Sequence, residues 1–362
     1  MAYYIPQLKL CGKISGINAI EVYPLPSLQS LHTFALPANA ETIIKVTDPN
    51  QLMDIDFSLP FVVIGEGSNT LFLNDFAGQV IQIANTGIDV SEDEHVFHLK
   101  VAAGENWHQL VCYTLEKGMP GLENLALIPG LCGAAPVQNI GAYGVELSDF
   151  LVSVEGFDIA TGHFRTLTAD QCQLSYRDSI FKHTLKQRFI ITAIHLVVSK
   201  NWQANCHYGP LQHLQEPTAQ QVYDLVVQTR QAKLPDPKLV ANAGSFFKNP
   251  LVTTEHMARL KALFPDLVAF PVTDKQVKVA AGWLIERAGL KGEKIAGVEV
   301  NPQQALVLLN HGGSCGQDVL KMIERIQQKV YSLFEISLQH EVRLISSQGE
   351  IIIEVNNENL TR

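Results

Sequence analysis

Two glycine-rich stretches govern what this chain can build: Gly65-Glu-Gly-Ser-Asn69 and Ile128-Pro-Gly-Leu-Cys-Gly-Ala-Ala-Pro-Val-Gln-Asn-Ile-Gly-Ala-Tyr-Gly144. The first follows Phe61-Val-Val-Ile64, a short apolar run of the kind that forms a buried strand. Its glycines begin a G-x-G-x-x-G pattern, but Thr70 stands where the third glycine belongs, and Thr70-Leu-Phe-Leu73 reads as another strand. A Rossmann site needs a helix N-terminus there, so that fold is rejected. Two readings stay open: a strand-ending turn, or a nest of main-chain N–H groups that holds phosphate without a helix. The second stretch has no bulky side chain from Gly133 to Pro136, which lets backbone approach a flat ligand. Two such loops in one chain suggest a dinucleotide.

The chain has 362 residues, enough for two or three domains, and is 46% hydrophobic, enough for substantial cores. Its net charge of −9 and lack of a basic run argue against a nucleic-acid partner, because phosphate backbones are bound by clustered Lys and Arg. Cys11, Cys112, Cys132, Cys172, Cys206 and Cys315 form no C-x-x-C, so reduced thiols in a cytosolic protein are expected and a metal site is not. The N-terminus lacks the charged start and apolar core of a signal peptide. Leu59 to Ile64 and Phe189 to Val198 are too short to span a bilayer. A cytoplasmic protein without membrane contact is expected.

Residues 1–30 read as an appendage, with the body starting near Leu31. Val80 to Ala84 and Val96 to Ala102 read as strands. Glu105 to Gly118 reads as a helix, with Trp107, Leu110, Val111 and Leu115 at helical spacing. Another helix starts after Pro217, where Thr218 and Gln221 have capping-box spacing, and runs to about Lys233. Lys278 to Leu290 and Gln317 to Phe334 are further helices, the latter with Ser314 and Gln317 as a second capping box. Strands Glu341 to Ile345 and Glu350 to Val355 close the chain. The class is α+β, or mixed α/β, in more than one domain.

Several polar residues admit two readings each. Ser245, in Asn242-Ala-Gly-Ser-Phe-Phe-Lys-Asn-Pro250, is a turn hydroxyl, or a buried acid whose alkoxide Lys248 stabilises. It lacks the G-x-S-x-G elbow of a hydrolase. Glu341 and Arg343 share one face of a strand, as a solvated pair or as part of a site. Arg177 is a surface arginine or a ligand group. Arg230 and Lys233, three apart on a helix, form a positive patch with Lys238 that suits a diphosphate or a solvated helix end.

Nine strings occur together in one order: GEGSN at 65–69, IPG at 128–130, QNIGAYG at 138–144, YRDSIFK at 176–182, KLPDPK at 233–238, NAGSFFKNP at 242–250, AGWLI at 281–285, QQALVL at 303–308 and EVR at 341–343. By these the chain resembles the UDP-N-acetylenolpyruvoylglucosamine reductases, and Tyr208 in His-Tyr-Gly-Pro resembles the loop tyrosine of their longer subtype. The resemblance implies an FAD-binding domain of the vanillyl-alcohol-oxidase type in two α/β subdomains over 31–215. It implies a smaller α+β substrate domain over 216–340, and C-terminal strands over 341–362 that carry a catalytic glutamate back to the FAD domain. It implies non-covalent FAD, NADPH as hydride donor, a UDP-sugar enolpyruvyl ether as substrate, a monomer, and a place in peptidoglycan precursor synthesis. Ser245 is then the proton donor, with Arg177 and Glu341 polarising the substrate carboxylate and Glu341 raised in pKa. The expected FAD contacts are Gly65, Glu66, Gly67, Ser68, Asn69, Ile128, Pro129, Gly130, Gln138, Asn139, Ile140, Gly141, Ala142, Tyr143, Arg230 and Arg343. The expected substrate contacts are Tyr208, Lys233, Asn249 and Gln304. His340 departs from the family pattern, standing where proline is expected, and residues 1–30 have no counterpart in it.

Two competing readings have their own signatures. An oxidase of the same fold would be reoxidised rapidly by O₂ and ignore the enolpyruvyl substrate. A nucleotide-sugar binding module would bind the UDP-sugar and hold no flavin.

Overall fold

Phe61–Ile64 forms a strand, as its apolar run predicts, in a computed structural model that describes residues 25–353. It pairs in parallel with Phe76–Ile83, which pairs in parallel with Ala40–Val46. A parallel sheet needs cover on both faces. Val62, Ile64 and Val80 bury into one small core and Val46, Ile81 and Ile83 into a much larger one. That larger core is shared with a five-stranded antiparallel sheet, ordered His163–Thr168, Leu151–Asp158, Phe189–Ser199, Val96–Ala102 and Ile88–Glu92. Its inner face presents Leu99, Val101, Val154, Ile194 and Leu196 to helix α1, Trp107–Glu116. Asn106 caps α1 by accepting from the Gln109 N–H. Helix α2, Ala219–Lys233, starts at the reciprocal Thr218/Gln221 box and packs Val222 and Val226 onto the same core.

A second large core holds helices α3 (Thr254–Leu263), α4 (Ala281–Arg287) and α5 (Gly316–Phe334). Two antiparallel sheets frame it. One runs Ala241–Ser245, Val307–Asn310, Val298–Val300, Lys294–Ile295, and the other Leu251–Thr253, Gln276–Val279, Ala269–Thr273. Arg343–Ser346 buries Leu344 in this core and pairs in parallel with Thr70–Phe72, directly after the first glycine loop. The Arg343 N–H donates to the Asn69 carbonyl at 3.0 Å. The C-terminal segment is therefore welded to the mouth of that loop.

The structure corrects four sequence expectations. The helix expected over Lys278 to Leu290 is a strand to Val279 followed by α4; Lys278 is drawn into ladder pairing with Leu251 and Phe270 on either side. α5 is capped by Cys315 and Asp318, while Ser314 is buried. The strand expected from Glu341 begins at Arg343, because the Glu341 N–H is taken by the Phe246 carbonyl. Of the expected appendage over 1–30, residues 25–30 pack into the body: Leu28 is fully buried and bonds through its N–H to Ala38. The remainder of that segment, and most of the strand expected over Glu350 to Val355 beyond Ile351, lie outside the described residues or outside the ladder.

Candidate active site

The first glycine loop is shaped by its neighbours. Gly67 has φ +67°, and a Cβ there would sit 2.0 Å from the Leu31 carbonyl oxygen, so only glycine fits. The N–H groups of Glu66, Gly67, Ser68 and Asn69 donate to no acceptor among the described residues. Such a run of free N–H groups is an anion nest. The loop is tied to its partner at both ends. Glu66 accepts from the Gly130 N–H at 3.0 Å, and Asn69 Nδ2 donates to Gln138 Oε1 at 3.0 Å and to the Glu341 carbonyl at 3.3 Å.

Between the loops runs a cleft of about 820 Å³. Gly65, Glu66, Gly67, Ser68, Asn69, Pro129, Gly130, Gln138 and Ile140 line it, with Ile190 and Ile191 as an apolar wall and Arg343 on the C-terminal side. A nest for a pyrophosphate beside apolar walls for flat rings suits FAD. Cys132 is fully buried, and burial pushes its thiol pKa up, so the second loop presents no reactive thiol to a flavin. A shallower depression of about 420 Å³ lies on the outer face of the five-stranded sheet, far from these loops in character, lined by Lys100, Glu155 and Arg165.

Six of the expected cofactor residues stand back from the cleft. Ile128 packs on the large core. Asn139 is fully buried at φ +42°, with Nδ2 donating to Glu146 at 2.7 Å and Oδ1 accepting from the Ser148 N–H at 3.0 Å. Its amide is spent on holding the loop. Gly141, Ala142 and Tyr143 belong to a tight hairpin, and Arg177 Nη2 donates to the Gly141 carbonyl at 2.9 Å. A Cβ on Gly141 would meet Glu146 at 2.9 Å and crowd that guanidinium. Arg230 turns inward near Tyr143 and His108, and its buried Nε has no partner.

Arg177 and Glu341 are brought together. Arg177 Nε lies 3.2 Å from Glu341 Oε1, and the glutamate side chain is only 12% exposed. Arg177 has φ +54°, unusual for a large side chain; its neighbours Tyr176 and Asp178 line the cleft. Burial raises the Glu341 pKa, against the opposing pull of Arg177, Lys182 and Lys248. Ser245 ends the strand Ala241–Ser245 just after Gly244 at φ +68°. It is exposed, not buried as expected, and its hydroxyl has no hydrogen-bond partner among the described residues. Phe246, next to it, accepts the Glu341 N–H at 2.8 Å. Arg343 is held by Glu350 and the Val63 carbonyl, each at 3.1 Å. His340 accepts from the Ile353 N–H at Nε2 and donates from Nδ1 to Val342, which keeps it neutral and occupied with backbone.

None of the four expected substrate residues lines that cleft. Tyr208 is 46% exposed, its ring 6.5 Å from Tyr143 and 6.2 Å from Phe270, bridging the two halves of the molecule. Asn249 Oδ1 accepts the first N–H of α4, from Ala281, at 2.9 Å, and its amide meets Tyr176. Gln304 packs beside Gly282 in the same turn. Lys233 is exposed at the end of α2. Sequence reasoning missed Tyr176, Lys182 and Lys278. Lys278 Nζ sits 4.3 Å from the Tyr176 ring centroid, and Lys182 is held down to about 8 by burial. Their signal was present only as company: Tyr176 and Lys182 bracket Arg177 in one short string.

Comparison with known proteins agrees with this geometry. The profile of an FAD binding domain matches residues 34–168, and that of the UDP-N-acetylenolpyruvoylglucosamine reductase C-terminal domain matches 236–345. UDP-N-acetylenolpyruvoylglucosamine reductase of Pseudoalteromonas translucida (strain TAC 125) is 55% identical over 90% of this chain and 96% of that protein. Its counterpart in Escherichia coli (strain K12) is 46% identical over 90% and 97%. The crystal structure of the Thermus caldophilus enzyme shares the fold, at a TM-score of 0.62 and 23% identity over 88% of this chain and 96% of that one. The chain belongs to the UDP-N-acetylenolpyruvoylglucosamine reductase family, FAD-dependent oxidoreductases of peptidoglycan precursor synthesis.

Proposed function

We propose that the chain reduces the enolpyruvyl ether of UDP-N-acetylglucosamine to UDP-N-acetylmuramate, with Ser245, Arg177 and Glu341 as its catalytic groups. FAD held between the two glycine loops would supply the redox chemistry, with NADPH as the hydride donor and C3 of the enolpyruvyl group as the acceptor. Arg177 and Glu341 hold the substrate carboxylate, where negative charge grows as the double bond is reduced. Burial raises the Glu341 pKa, which favours its protonated form, and a protonated carboxyl donates a hydrogen bond where a carboxylate would repel. The enolate-like intermediate on the substrate is a strong base. A hydroxyl is acid enough to protonate it at C2 once within hydrogen-bond reach. Ser245 is exposed, and its hydroxyl is unengaged among the described residues, which suits that task. Lys248, three residues on and lining the cleft, is assigned to stabilise the resulting alkoxide.

The observation that carries this reading is the Glu341–Arg177 contact of 3.2 Å, formed on a segment bonded to the residue beside Ser245. Tyr208, Lys233, Asn249 and Gln304 take the nucleotide-sugar part of the substrate. In this reading the FAD-binding domain spans 31–215, the substrate domain 216–340 and the returning strands 341–362; the profile matches cover 34–168 and 236–345. No described helix is long and apolar enough to cross a membrane, and small soluble substrates fit a cytoplasmic monomer that binds no nucleic acid. The test is anaerobic absorbance. NADPH must bleach the bound flavin and the enolpyruvyl UDP-sugar must restore its colour; restoration by O₂ alone would favour an oxidase.

A further inference from the structure

Arg177 sits at a strained place for its importance. It is a long side chain at φ +54°, a region that favours glycine, and it must aim its guanidinium at Glu341 and at the Gly141 carbonyl together. Backbone in that conformation persists only when its surroundings fix it. Ser175 and Asp178 close the turn around it with backbone bonds of 3.0 and 3.1 Å, and one side chain holds the Arg177 peptide itself. Lys182, five residues on, reaches back and donates from Nζ to the Arg177 carbonyl at 2.8 Å. A charged donor on a main-chain carbonyl in a partly buried place is a strong hydrogen bond. Lys182 makes no salt bridge with any acid among the described residues, so that carbonyl is its one close polar partner.

We propose that Lys182 is a positioning residue for the reduction: it locks the left-handed Arg177 peptide so that the guanidinium meets Glu341 and the substrate carboxylate. This rests on the catalytic reading of Arg177 given above. The alternative is that Lys182 acts on its own, as one more positive charge lining the cleft beside Lys248. The two differ in coupling. A residue that works through Arg177 has nothing to do once Arg177 is gone, whereas an independent charge keeps its effect.

The experiment is a double-mutant cycle on the FAD-loaded enzyme with the enolpyruvyl UDP-sugar, using Lys182→Met, Arg177→Met and the pair. The visible flavin spectrum checks that each variant is folded. Lys182→Met is expected to lower kcat by about a hundredfold in the wild-type background, the cost of a misplaced catalytic group. In the Arg177→Met background it should change kcat by less than about twofold. Lys182→Arg, which keeps a charged donor, should recover most of the loss. An equal fall in both backgrounds, or no fall in the wild type, overturns the inference and leaves the catalytic reading standing. Full turnover by Arg177→Met would instead bring down that reading and the inference with it. If Lys182→Met cannot hold FAD, the same cycle is read with Lys182→Gln, under the same criteria.

Discussion

The main-chain N–H of Glu341 donates to the carbonyl of Phe246 at 2.8 Å, and this bond sets a C-terminal carboxylate one residue from Ser245. The carboxylate belongs to a segment that continues into the strand paired with Thr70–Phe72, at the edge of the first glycine loop. The serine belongs to the sheet of the second large core. With the Lys248 N–H donating to the Gln339 carbonyl at 2.9 Å, the Glu341–Phe246 bond ties the C-terminal segment to the strand end that carries Ser245. Three predictions and one deciding measurement follow from the arrangement of side chains around this junction.

The first concerns Glu341. Burial raises its pKa, so the folded protein binds that proton more tightly than the unfolded chain does. The wild type therefore carries a cost for the charged carboxylate at pH values above its folded pKa. That cost fades as pH falls through the folded pKa and is gone below the ordinary glutamate value. Glu341→Gln, which cannot ionise, is expected to gain thermal stability over the wild type at pH 8, with the gap closing toward pH 4.5. Melting curves across that range check it; a gap that widens in acid would mean that the carboxylate is stabilised, not penalised, by folding.

His32 supplies an acid limb of opposite origin. It is 3% exposed, packs edge-on to Phe72, and burial lowers its pKa to about 4. The neutral ring is favoured in the fold, so this stability is fully present above the ordinary value of 6.5 and is lost as pH falls toward 4. The full shift corresponds to about 3 kcal/mol. Its neighbours Leu31 and Thr33 press on Gly67, so the same protonation is expected to loosen FAD. His32→Gln should flatten the pH dependence of denaturant midpoints between 6.5 and 4. An unchanged slope would place the acid limb elsewhere.

Gly67→Ala tests the loop itself. The new methyl would have to displace the Leu31 carbonyl from 2.0 Å and adopt φ +67°. Strain of about 1–3 kcal/mol from the conformation alone adds to the clash. The variant should melt lower and lose flavin on gel filtration, with the free flavin recovered in the small-molecule fraction. A variant that keeps FAD at wild-type stoichiometry would show that the loop tolerates rearrangement.

Much of this molecule was readable from local sequence, for reasons that the structure makes plain. Phe61–Ile64, Val96–Ala102 and the Thr218/Gln221 cap depend on neighbours within a few residues. Lys278 does not: its strand is imposed by partners on both sides, which overrides a helical pattern. The glycine loops were legible as a pair, but which side chains of the second loop line the cleft was not. Gln138 and Ile140 face the cleft while Asn139 between them turns away, a choice made by Glu146 and Ser148. Arg177 was legible by its string and not by its conformation, which the Ser175–Asp178 turn sets and which Lys182 and Gly141 engage through space.

The most direct test of the central claim is single-turnover kinetics on Ser245→Ala loaded with FAD. NADPH should bleach the flavin of this variant at close to the wild-type rate, because no hydroxyl takes part in that step. Recovery of the flavin colour with product formation on adding the enolpyruvyl UDP-sugar should slow by about a hundredfold or more, the typical contribution of a general acid. A variant that forms product near the wild-type rate would contradict the account and take the proton from a different group.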